Sequence, residues 1–119
     1  MRLYGDEFVQ LRHCVWDAIG FIIEQLQEAL SHPTDQFAAV DAARGAIRQL
    51  QSRLARDERL HAHTAWCISF NPYVFEPDWQ DRWMELANKP TSAFANEARQ
   101  LIEDLEQLRE SIRRLPKSN

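Results

Sequence analysis

Phe94, Ala98, Leu101, Leu105, Leu108, Ile112 and Leu115 follow one another at alternating spacings of four and three, without a miss. Residues so spaced share one stripe of an α-helix, and a repeat of 3.5 favours a neighbouring helix lying nearly parallel to it. The spacing predicts a helix over about 92–115, capped at Thr91 or Ser92 and ended by Pro116. Glu97, Glu103, Asp104 and Glu106 precede Arg109, Arg113, Arg114 and Lys117, an order that suits the helix macrodipole. Such a segment cannot sit in a β-sheet, and its apolar stripe must be covered by other helices.

The remaining patterning supplies those helices. Phe8, Leu11, Val15, Ala18, Ile22 and Ala29 form one row and Val9, Trp16, Ile23 and Leu30 a second, predicting a helix over about 6–31. With Ile19 and Leu26 the rows span an arc of roughly 160°, wide enough to need two neighbours. Asp6 is the expected cap, and His32-Pro33 the stop. A second helix, about 35–64, carries Val40, Ala43, Ile47, Leu50 and Leu54; the same register continues onto Asp57 and His61. Either this helix breaks near Arg56, or a polar pair interrupts its stripe. Residues 66–77 form an aromatic connector punctuated by Asn71-Pro72 and Glu76-Pro77. A short third helix, about 78–88, follows with Trp79, Trp83 and Leu86 on one face. The expected fold is therefore all-α: one domain over 1–119, a small bundle of three long helices and one short helix, with an aromatic-rich connector between the second and third.

Composition agrees. A chain of 119 residues can bury a core without metal or disulfide staples, and 45% hydrophobic with 27% charged residues is the balance of an ordered globular domain. The formal charge of −4, with twelve Arg and two Lys, makes nucleic acid an unexpected partner, because affinity for a phosphate backbone comes largely from cation contacts. Cys14 and Cys67 form no CxxC and read as reduced thiols. No leader is recognisable, and the apolar run Ile19 to Ile23 is far short of the ~20 residues a membrane span needs, so a cytoplasmic protein without a membrane partner is expected. Gly5, Gly20 and Gly45 are isolated, and no phosphate loop, nucleophile elbow or zinc-protease motif occurs. No cofactor is expected.

Three features bear on function. Leu101, Leu105, Leu108 and Ile112 of the last helix read as an intramolecular bundle face or as a seam with a second copy; the wide apolar arc of the first helix favours a homodimer. In the connector region, Trp66, Phe70 and Phe75 suit core filler. Tyr73, Trp79, Arg82 and Trp83 have the composition of a protein-interface hot spot. Finally, Arg56-Asp-Glu-Arg-Leu-His61 contains an R-x4-H. This resembles the active motif of HEPN-domain ribonucleases, although Glu58 and Arg59 stand where that family tends to carry apolar residues. The resemblance implies a small all-α dimer that cleaves RNA without metal, with Arg56 stabilising charge on the phosphate and His61 as acid or base. A zinc site from His61, His63 and Cys67 is not expected, since the two imidazoles point apart on a helix and no fourth ligand is near. The plain alternative at this point is an Asp57–His61 pair one helical turn apart, and Arg44, Arg48, Arg53, Arg56 and Arg59 read as a solvated face. The expected function is a non-catalytic regulatory or adaptor protein that binds a partner protein through apolar and aromatic helix surface, as a homodimer. The ribonuclease and a nucleic-acid-binding helical protein are the alternatives.

Overall fold

The wide apolar arc of the first helix is covered by two neighbours. In the computed structural model, which describes residues 3–116, five helices follow in order: α1 (Gly5–Ser31), α2 (Gln36–Leu54), α3 (Glu58–Ala65), α4 (Trp79–Ala87) and α5 (Thr91–Arg113). There is no strand among the described residues, and none of the helices is long and apolar enough to cross a membrane. Helix α1 packs on α2 and on α5, α4 packs on α2, and α3 leans on α5. The α1 row of Phe8, Leu11, Val15, Ile19, Ile22 and Leu26 is wholly inside. Gly20 is also buried on α1, and a Cβ there would overlap the Arg109 guanidinium of α5. Its absence lets that guanidinium lie over the Trp16 ring, 3.4 Å from the centroid, while Arg109 Nε donates to the Trp16 carbonyl at 3.1 Å.

Three boundaries differ from the sequence expectation, the least of them at α5, where Pro90 rather than Thr91 or Ser92 precedes the helix and no side chain caps it. Helix α1 begins at Gly5 with φ of 58°, a left-handed start open to glycine, and Tyr4 rather than Asp6 precedes it. More important, the long second helix is two helices. Residues 55–57 interrupt it, so the bundle has α2 and α3 in place of one helix over 35–64. The cause is Asp57, which takes the next position on the apolar stripe and is completely buried. A carboxylate there needs partners, and it finds them by leaving the helix (φ −148°, ψ 122°) and becoming the N-cap of α3.

Asp57 accepts hydrogen bonds from the backbone N–H of Arg59 at 2.9 Å and of Leu3 at 2.8 Å. The Arg59 guanidinium donates to the same carboxylate through Nη2 at 2.9 Å and Nε at 3.2 Å, and Nη2 also reaches the Leu3 carbonyl at 2.5 Å. The guanidinium carbon lies 3.9 Å from the centre of the Phe8 ring. One carboxylate thus joins the segment before α1 to the start of α3. Burial alone would push its pKa up, but the Arg59 hydrogen bonds and the two backbone donors outweigh that and lower it from 3.8 to about 2. The expected Asp57–His61 side-chain pair is not formed, because these donors occupy the carboxylate. His61 packs its ring on Phe75 instead, with centroids 4.6 Å apart.

The connector is pinned at each end. Asn71 Nδ2 donates to the Ala65 carbonyl at the end of α3 at 2.9 Å, and Gln51 Nε2 donates to Val74 O at 2.7 Å. Trp83 Nε1 donates to Tyr73 O at 3.0 Å, and the Gln36 amide reaches the Ala87 and Lys89 carbonyls, at 3.1 and 2.8 Å, where α4 ends.

Replacing Asp57 by Asn should cost about 3 kcal/mol in denaturant unfolding at neutral pH, because Arg59 is left inside without its counter-charge. Since the folded-state pKa of Asp57 is depressed, its contribution is present above the ordinary value of 3.8 and is lost as pH falls toward 2. The stability gap between wild type and Asp57→Asn should therefore narrow across that window.

Candidate functional site

Seven of the eight residues that the sequence nominates for an interface lie inside the chain. Tyr73, Trp79, Trp83, Leu101, Leu105, Leu108 and Ile112 are all buried. Trp83 packs its ring against Tyr73 at 4.7 Å, and Arg48 sits over the Trp79 ring at 5.6 Å. Arg82 alone is exposed, and it pairs with Asp78 at 3.4 Å. The physical reason is periodicity: Trp79 and Trp83, one turn apart on a short helix packed on α2, face the core as any i, i+4 apolar pair does. The seam of α5 is likewise covered by α1 and α3, which removes the surplus apolar face from which a homodimer was argued.

The exposed apolar surface lies elsewhere. Trp66, which the sequence suggests as core filler, and Ile68 remain 84% and 85% accessible, the highest values among the large apolar side chains of the described residues. Trp66 caps the C-terminus of α3, and a tight turn follows. Cys67 N–H donates to Thr64 O, Phe70 N–H to Cys67 O, and Asn71 N–H to the same Cys67 carbonyl, at 3.1, 3.1 and 2.9 Å. With the backbone fixed so, Phe70 turns into the core and Cys67 is half-buried, while Trp66 and Ile68 face water.

Between this turn and α5 runs an open groove of about 560 Å³. Trp66, Ile68 and Leu108 supply its apolar lining, and His63, Asp104, Gln107 and Ser111 its polar side. His63 Nε2 and Ser111 Oγ are 2.6 Å apart, a bond that ties α3 to α5. Cys67 Sγ lies 3.9 Å from Ser69 Oγ and 4.0 Å from the Asp104 carbonyl. Burial pushes the Cys67 thiol up, which keeps it protonated and a weak nucleophile near neutral pH. A smaller pocket of about 270 Å³, lined by Val9, Arg12, His13, Trp16 and Arg113, sits against α1.

The other candidate chemistry is dispersed. Arg56 lies exposed on the turn between α2 and α3, and His61 lies one helical turn into α3 with its ring on Phe75. The R-x4-H motif therefore straddles a helix break. His61, His63 and Cys67 do not converge as ligands, for His61 faces Phe75 whereas His63 faces Ser111. Among the described residues, Glu28, His32 and Asp35 are the group whose possible ligand atoms lie within 4.8 Å of one another, and all three are exposed. His32 Nδ1 lies 3.2 Å from Glu28 Oε1, an ordinary one-turn contact that His13 and Asp17 repeat at 3.3 Å. Compared with known proteins, the chain matches no family model, no curated protein and no solved structure.

Cys14 is exposed and Cys67 is not. Iodoacetamide at pH 7.5 should alkylate Cys14 well before Cys67, and Cys67 should speed up only as pH rises beyond the ordinary thiol value of 9.0. Mass spectrometry of timed digests reads both rates.

Proposed function

We propose that this chain is a non-catalytic regulatory or adaptor module that holds a partner protein at the groove between the Trp66–Ser69 turn and α5. The observation that carries the reading is the exposure of Trp66 and Ile68, two residues apart on a hydrogen-bonded turn and both lining an open groove. Removing each from water is worth about 2–3 kcal/mol, and a tryptophan surrounded by polar groups has the form of a binding hot spot. His63, Gln107 and Ser111 supply such a surround. In this reading the Cys67 thiol stays protonated and the His63–Ser111 bond serves to join α3 to α5. The module is proposed to act in the cytoplasm, where Cys14 and Cys67, both free, stay reduced. A homodimer belongs to this proposal only through the same groove, because the α5 seam is covered within one chain.

Trp66→Ala with Ile68→Ala should leave the thermal midpoint and helix content unchanged, as both side chains face water. The double variant should lose capture of any partner isolated with the wild type, and any dimer seen by light scattering should become monomer. Undiminished capture by the folded double variant overturns the reading. Trp83→Ala is the contrasting control, expected to cost about 3–5 kcal/mol of stability through a core cavity.

A further inference from the structure

The groove has a charge as well as an apolar lining. Resting on the reading above, we infer that its occupant is a segment of the partner protein in which a large apolar side chain is flanked by Lys or Arg. Asp104 of α5 is the groove's one carboxylate and is half-buried there. Its side chain accepts a single hydrogen bond, from the neutral Gln100 amide at 3.1 Å. Among the described residues it makes no ion pair. Of the α5 cations, Arg109 lies over Trp16, Arg113 and Arg114 pair with Glu110 at 2.6 and 3.3 Å, and Arg99 is exposed outside the groove lining.

Glu103 and Glu106, exposed on the same stretch of α5, likewise make no ion pair among the described residues. The groove wall itself thus presents one carboxylate, Asp104, without an ion-pair partner among the described residues. The exposed Trp66 indole adds a face that attracts a cation. An ammonium or guanidinium beside an apolar anchor would meet the carboxylate and the indole together, and the anchor would meet Ile68 and Leu108. An acidic segment would meet repulsion at Asp104. A second copy of this chain, acidic overall at −4, offers Asp104 less than a basic segment does.

The test is selection of random displayed peptides on the intact protein, with the Trp66→Ala, Ile68→Ala double variant and Asp104→Asn panned in parallel. Selected sequences should place Lys or Arg within a turn of a large apolar residue. Synthetic copies should bind about fivefold more weakly to Asp104→Asn, the effect of one partly screened charge pair. Copies with the basic residue changed to Gln should bind wild type and Asp104→Asn alike. Peptides that depend on Trp66 and Ile68 but show neutral or acidic flanks, or are indifferent to Asp104→Asn, overturn this inference and leave the binding module standing. No selection above the double variant overturns both.

Discussion

A buried carboxylate organises this bundle. Asp57 stands where the apolar register of α2 would place its next core residue, and it is fully covered. Kept in a continuous helix, it would be a charge facing hydrocarbon. The chain instead turns at residues 55–57, so that the carboxylate meets two backbone N–H groups and a guanidinium. That turn lets α3 leave the line of α2 and lean on α5. The direction of α3 in turn determines where Trp66 and Ile68 emerge. The groove is a downstream result of satisfying one acid.

Much of the fold could be read from spacing. The α5 seam is strictly periodic and is buried as such, from Phe94 to Ile112. The arc of α1 was too wide for one neighbour, and α2 and α5 are the two it has. The break in α2 was readable only as one of two outcomes, because periodicity places Asp57 and His61 on the stripe without saying which donors reach them. Those donors include the Leu3 amide, 54 positions away in the chain. No local pattern carries that information.

The residues that the sequence nominates for an interface are mostly not the exposed ones. Aromatic density marked the connector region, yet density does not tell inside from outside. Trp79 and Trp83 attracted notice through their one-turn spacing, and that spacing is itself the signature of a buried helix face. Trp66 and Ile68 carried the opposite mark. The stripe of α3 runs through Leu60 and Thr64, both buried, and its register leads on to Cys67. Trp66 and Ile68 fall on either side of it. An apolar residue out of register at the end of an amphipathic helix was the available signal.

The four tryptophans of this chain differ sharply in surroundings. Trp83 and Trp79 are enclosed, Trp16 lies beneath the Arg109 guanidinium, and Trp66 stands in water. Indole emission moves to longer wavelength as its surroundings become more polar, so the red edge of the spectrum belongs chiefly to Trp66. The protein carries its own optical label at the groove, and filling the groove would register as a blue shift without any added dye.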